Sequence, residues 1–452
     1  MKKYDEYKDS GVTWIGEVPK HWEVIKTSLA FQGIGSGTTP STSKKEYYDD
    51  NGKYWLQTGD LEDGIVYDTS KKVSNIAIKE CNLTFYPIDS IIIAMYGATI
   101  GKVGILGIES ATNQACCVIP VTKKQIAKYF FYEFLACKPA LLIAAIGGGQ
   151  PNISQDTIKK LKIVIPPINE QTAIATYLDT HCAKIDNLIS IQQKRIALLQ
   201  ELKQSVITHA VTKGLNPNVE MKQSGVEWIG DVPKHWEVTK MNNNCSTITD
   251  YVASGSFADL RKNVLYLDEP DYAMLIRTAD LSSTDRKLPP VYISKCSYEF
   301  LSNSNLFGGE VVLPNIGASI GNVYMVPKLY KHMSLAPNAI MVKSYGNDRF
   351  LYYYFKSKPG VDSLMLIGMA AAQDKFNKTE LRSLKVLVPP LEEQAAIASY
   401  LDHKCATIDT SISNAQHQID LLQEYKQSLI TEVVTGKRKV TDNMASKNQT
   451  GA

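Results

Sequence analysis

The chain has no C-x-x-C pair, and no cysteine–histidine cluster in it carries zinc spacing. Its eight cysteines are Cys81, Cys116, Cys117, Cys137, Cys182, Cys245, Cys296 and Cys405. They are read as reduced thiols, and the adjacent Cys116-Cys117 in its apolar run as core packing. That excludes a disulfide scaffold and leads to the expectation of a cytoplasmic protein. The opening MKKYDEYKDSG has no apolar stretch, so no signal peptide is expected. The most apolar segment, Ala140–Ile146, is far short of a membrane span. A charge imbalance is missing too: the net charge is +3, with 24 Lys+Arg against 21 Asp+Glu in residues 1–214 and 25 against 25 in the remainder. Any basic surface for nucleic acid must therefore be local.

Catalytic signatures are equally scarce. Gly97–Lys102 has three residues between its glycines where a phosphate loop needs four, Val103 where it needs Ser or Thr, and Asn322 in place of the lysine in a second copy. It reads as a turn. The pairs Pro166-Pro167 and Pro389-Pro390 lack the Asn and the aromatic residue of an amino-methyltransferase motif and read as helix starts. No loop for S-adenosylmethionine stands out, and the seven histidines are scattered without a Ser/His/Asp or metal constellation, so no catalytic and no metal-ligating residue is assigned. The chain reads as a binding protein.

A duplication is what the sequence does contain. SGVTWIGEVPKHWEV at Ser10–Val24 returns as SGVEWIGDVPKHWEV at Ser224–Val238, identical at 13 of 15 positions. Pro166–Asp186 returns at Pro389–Asp409, and LLQELKQSVIT at Leu198 returns as LLQEYKQSLIT at Leu421, both at an offset of 223. Pro166–Gly214 and Pro389–Gly436 each begin at a proline pair and are free of further proline, which predicts two long helices, the first a rod of roughly 65 Å. Leu178, Ile185, Leu199 and Val206 repeat every seven residues, as do Leu401, Ile408, Leu422 and Leu429, with Leu188, Ile189, Ile196 and Leu202 beside the first series. That is the seam of a coiled coil. Gln192 interrupts the first series and Ala415 holds its place in the second, which suits one antiparallel register between unlike helices of one chain.

Between these repeats lie two diverged globes, read as mixed α/β. Strands are predicted at Lys53–Thr58, Ser90–Tyr96, Val103–Leu106, Ala115–Val121 and Leu161–Ile165, and an amphipathic helix at Ile126–Cys137. The second globe repeats the plan. The expected limits are 1–165 and 215–388 for the globes, 166–214 and 389–440 for the helices, and a disordered tail at 441–452. The paired tryptophans of the opening motif suit an apolar clamp onto each rod, with His21 and His235 packing or capping beside them.

Loops that mix small polar, basic and aromatic residues are the candidates for DNA contact. In the first globe these are Thr38, Thr39, Ser41, Ser43, Lys44, Lys45 and Tyr47, with Gln57, Gln150 and Asn152; in the second they are Ser256, Arg261, Lys262, Arg277, Gln373 and Lys375. Arg277 stands where the first copy has Gln57, and arginine favours guanine where glutamine favours adenine.

The order SGxxWIGxVPxxWE, GTTP, WLQTGDL, GATIG, QPNIS, PPxxEQxxIAxYLD and a long helix, with its frame repeated in the second half, resembles the DNA-specificity subunit of Type I restriction-modification enzymes. The resemblance covers nearly the whole chain. The second globe departs from it, with SGSFADL where the first has GTTPSTS. It implies two target-recognition domains separated by two antiparallel coiled-coil helices, each domain reading one half of a split site in double-stranded DNA. Two methyltransferase subunits and two motor-nuclease subunits are the implied partners. S-adenosylmethionine, ATP and magnesium would be used by those partners, with no cofactor bound by this chain. Two half-sites about one turn, ~34 Å, apart are expected. A stand-alone methyltransferase or nuclease, and a coiled-coil adaptor without a DNA role, are the competing readings.

Overall fold

The computed structural model describes residues 3–122, 124–145, 152–282, 288–368 and 374–440. The tail from 441, Gln150 and Gln373 lie outside them. Contacts divide the chain into two units, residues 1–192 with 417–452, and residues 193–416. Each unit therefore holds one globe, the first part of the long helix that follows that globe, and the last part of the other long helix. The boundary falls inside both helices, Ile168–Lys213 and Leu391–Val434.

In the first unit a five-stranded sheet runs in the order Gly35–Ser36, Cys116–Ile119, Ile91–Ala94, Val103–Leu106, Gly64–Val66. A four-stranded sheet orders Lys72–Val73, Tyr48–Leu56, Ser110–Thr112, Phe85–Tyr86. Residues Ile91–Ala94 and Cys116–Ile119 are buried throughout because both faces of the sheet are covered. Alternation sends Ile91, Ile93, Cys117 and Ile119 into the larger core and Ile92, Ala94, Cys116 and Val118 into a smaller one. Burial pushes the Cys117 thiol up to about 12, as an inert core cysteine requires.

The helix predicted at Ile126–Cys137 extends over Ala127–Ala144, with Pro139 inside it. It is not amphipathic: Tyr129 to Cys137 are all buried. One side packs on the sheet and the other on the long helices, where Tyr132 donates to Asp179 at 2.9 Å and Gln427 donates to the Leu135 carbonyl at 3.3 Å. A helix covered on both sides needs an apolar surface all round. Glu133 is enclosed in that surface; its Oε1 accepts from the Val164 amide at 2.8 Å and its Oε2 has no partner.

The second unit repeats the plan with two four-stranded sheets. Their orders are Cys245–Asp250, Ala339–Ser344, Val311–Pro314, Tyr324–Met325, and Tyr292–Ile293, Ala273–Ile276, Met333–Leu335, Asn305–Leu306. In each unit the strand after the opening motif pairs antiparallel with the last strand before the prolines: Val24 faces Val164, and Val238 faces Leu387. The ends of each globe are thus tied together at the foot of a long helix.

The PPxxEQ motif does the tying. Glu170 accepts from the Trp22 indole at 3.1 Å and the Tyr4 hydroxyl at 2.8 Å, and lies 2.7 Å from the His21 ring. Glu393 repeats this with Trp236 at 2.9 Å and His235 at 2.6 Å. Gln171 donates to the Pro166 carbonyl at 2.8 Å and accepts from the Ile126 amide at 3.2 Å; Gln394 does the same with Pro389 and Asn347, at 2.8 and 2.9 Å. The clamp expected from the tryptophans is therefore polar at its centre. Trp22 and Trp236 are fully buried, whereas their companion Trp228 is 37% exposed.

The long helices run antiparallel within each unit. In the first, Arg438 stacks on Tyr177 and Lys426 pairs with Asp186 at 2.7 Å, so one helix descends as the other rises. In the second, Lys203 pairs with Asp409 at 2.7 Å while Gly214 and Ala396 line one cavity. These pairs are each other's repeat equivalents. Along the seam Leu178, Ile185, Leu401, Ile408 and Leu429 are buried, and Leu199, Val206 and Leu422 half-buried. Leu188 and Leu202, expected beside it, are 47% and 50% exposed; they stand about 50° off the seam, on the side opposite half-buried Ile189 and Ile196. Among the described residues no helix is long and apolar enough to cross a membrane.

Candidate functional site

Register places many of the candidate residues at one end of the sheets. In the first unit Ser36 pairs with Cys117 and Cys116 with Ala94, so Thr38, Thr39, Tyr96 and the Gly97–Gly101 turn leave the five-stranded sheet at the same end. Asn152 joins them there by bridging Tyr96. Gln57 follows Leu56, which pairs with Thr112, and Gly37 lies so close to the Thr112 carbonyl that an added Cβ would sit 1.7 Å from it. Glycine is obligatory at that crossing. Thr38, Thr39 and Asn152 are exposed.

The rest of the first loop runs along the second sheet. Ser41 and Ser43 bond each other at 2.8 Å, and Lys45 is exposed. Lys44 donates to the Tyr47 hydroxyl at 2.7 Å and to Glu80 at 3.2 Å; Tyr47 is buried and donates to Glu80 at 2.5 Å. The bonds donated by the Tyr47 hydroxyl and by Lys44 hold the Glu80 carboxyl below its ordinary value. Lys71 and Lys72 lie over the rings of Tyr48 and Tyr54, at 5.6 and 5.0 Å.

The second unit gathers its candidates at the matching end. Asp250 pairs with Ile340 and Pro314 with Ala339, and Ile316 bridges Lys375. Arg277 leaves the same end after Ile276, which pairs with Leu335. Ser256 caps the helix Phe257–Asn263, whose last turn carries exposed Arg261 and Lys262. Asp60 and Asp280 each accept from the backbone amide three residues back, that of Gln57 and that of Arg277, both at 2.8 Å, and so cap two short turns; Asp280 also accepts from the Arg277 guanidinium at 2.7 Å. The Arg277 guanidinium also donates to the Pro289 carbonyl at 2.8 Å. That shared cap accounts for the paired LQTGDL and IRTADL.

Three residues at these ends carry no obvious sequence signal. Phe257 is 72% exposed, Ile316 is 47% exposed, and Asn338 holds φ +71° at the turn before Ala339. A left-handed asparagine marks a turn, but its position at the sheet end is tertiary information. Among the described residues no group of His, Cys, Asp and Glu is placed to hold a metal ion.

Residues 19–200 and 253–419 match the family described as the Type I restriction modification DNA specificity domain. The chain belongs to this family. The specificity subunit is 25% identical over 433 residues to the Type I restriction enzyme MjaVIII specificity subunit of Methanocaldococcus jannaschii, covering 94% of each chain. It is 21% identical to the EcoKI specificity subunit of Escherichia coli K12, over 93% of this chain and 90% of that one. Its fold is like that of a chain from a structure on complex assembly and conformational transition of the type I R-M system, at a TM-score of 0.67 and 13% identity over 92% and 98% of the two chains. The HsdS subunit from Thermoanaerobacter tengcongensis gives a TM-score of 0.50 at 14% identity over 93% and 98%. As a specificity subunit, the chain has a non-catalytic recognition role.

Proposed function

We propose that this specificity subunit reads a bipartite double-stranded DNA site, one half by each globe, and carries no catalytic residue of its own. One observation carries the reading: the frame is the same in both units, while the corresponding sheet ends present different exposed side chains. Thr38, Thr39 and Asn152 offer hydroxyls and an amide, whereas Phe257, Ile316 and Lys375 offer apolar and cationic groups. Equal frames with unequal readers suit two different half-sites. In this proposal two methyltransferase subunits, using S-adenosylmethionine, methylate adenine, and two motor-nuclease subunits, using ATP and magnesium, complete a cytoplasmic complex. Deleting the gene is expected to remove adenine methylation at one split motif across the genome, read by single-molecule sequencing. Unchanged methylation in a host with no second specificity gene would sink the proposal.

The long helices offer the docking place. Leu198, Glu201, Leu202 and Ser205 lie at i, i+3, i+4 and i+7, and all four are exposed; Leu421, Glu424, Tyr425 and Ser428 repeat them. An exposed leucine kept in both copies, 66% and 50% accessible, suits two copies of one partner. Leu198→Asp combined with Leu421→Asp is expected to cut co-purification of the methyltransferase subunit at least tenfold while the thermal midpoint stays within about 2 °C. A wild-type yield of complex would refute the assignment.

A further inference from the structure

The second globe carries a feature that the first does not. The capping box of Ser256 and Asp259 fixes the start of the helix Phe257–Asn263 and so fixes Phe257 in the open. Its ring borders a cavity of about 150 Å³ shared with Val252, Asn315, Ile316 and Asn338. Ordinary ligand pockets begin at roughly 300 Å³, so this is a notch for a protruding group and not a pocket for a whole molecule. Asp250, also at the notch, is paired with Lys378 at 2.7 Å. Exposed Lys375 pairs with Ile316 across the bridge, and Arg261 and Lys262 extend the cationic border along the helix. The surface thus has an apolar notch, an exposed amide at Asn338 and a basic edge.

In the major groove an adenine–thymine pair shows a methyl group beside adenine N6 and N7, matched respectively by apolar and amide side chains. We infer that Phe257 and Ile316 receive the 5-methyl group of a thymine and that Asn338 contacts the adenine of the same pair. The inference rests on the proposed DNA-reading role and assigns one base pair of one half-site to the second globe. The matching end of the first globe has Thr38, Thr39 and Asn152 where the second has its exposed ring. The thymine contact therefore belongs to one half only.

The test uses the assembled complex of this chain with its methyltransferase subunits, purified from the native host, and a duplex carrying the motif mapped in the methylome. Each thymine in turn is replaced by deoxyuridine, which lacks only the methyl group. One replacement, in one half-site, is expected to weaken binding by the wild-type complex about fourfold, the value of one buried methyl group. The same replacement should change nothing for Phe257→Ala, whose affinity for the unmodified duplex should already be lowered by a similar factor. Equal responses of the two complexes to every replacement would overturn the inference while leaving the DNA-reading role intact. Loss of methyltransferase subunits from the Phe257→Ala complex would instead identify a protein-binding surface and overturn it too. If no motif is found, the DNA-reading role falls and takes this inference with it.

Discussion

Ile196→Pro is expected to abolish methylation at the split motif, whereas Ile196→Ala leaves it in place. Ile196 lies in the middle of the unbroken helix Ile168–Lys213, four residues past the point where the chain passes from the first unit to the second. Proline there removes one backbone donor and clashes with the carbonyl of Gln192, at a cost of about 3 kcal/mol or more, and kinks the helix. Alanine removes only a half-buried side chain and keeps the helix, since alanine has the highest helix propensity. If the helix holds the readers at a set separation, the kink and not the lost packing is what matters. Methylome sequencing of strains carrying each variant decides it; full methylation of the same gapped motif by the proline variant would show that helix continuity is not required.

Glu133→Gln is expected to stabilise the protein progressively as pH rises from about 4.5, and most in mild alkali. Burial is the main reason the Glu133 carboxyl is raised, to about 8, against a smaller lowering by the bond from the Val164 amide. The native state therefore keeps a proton that the unfolded chain releases near the ordinary carboxylate value of about 4.5. With the folded value above the unfolded one, the native state binds more protons between them, and stability falls as pH rises from about 4.5 through about 8. Glutamine keeps an oxygen for the Val164 amide and cannot ionise. Each tenfold difference in proton affinity between the folded and unfolded chain is worth ~1.4 kcal/mol. Between pH 6 and pH 8.5 the advantage of the variant should therefore grow by on the order of 3 kcal/mol, or roughly 5–10 °C in thermal midpoint. Equal midpoint differences at pH 6 and pH 8.5 would exclude Glu133 as the cause.

Much of the frame was legible because the duplication repeats its constraints. Proline pairs, heptads and the glycines at the helix ends locate two helices, found at Ile168–Lys213 and at Leu391–Val434, the second ending six residues before the expected 440. Val103–Leu106 is found at its predicted bounds, being a short apolar run between turn residues. The helix at Ala127–Ala144 was harder, because its apolar character comes from being packed on two sides, and periodicity within a segment does not report what lies on its far side. Leu188 and Leu202 were harder still: a leucine buried in a seam and a leucine exposed beside it look alike in sequence.

The chain's amino acids alone determined the duplicated architecture, the antiparallel pairing of its helices and the family resemblance, since all three rest on repeated spacing along the chain. Tertiary structure decided the meaning of single side chains. Glu170 and Gln171 became a clamp only when Trp22 and Ile126 were brought to them, and the Arg277 guanidinium found its second acceptor only when the Pro289 carbonyl came beside it. Thr38 and Asn152, like Phe257 and Asn338, meet at one sheet end only through strand register. A sheet joins residues far apart in sequence, so the chemistry at its ends is set by pairing and cannot be read along the chain.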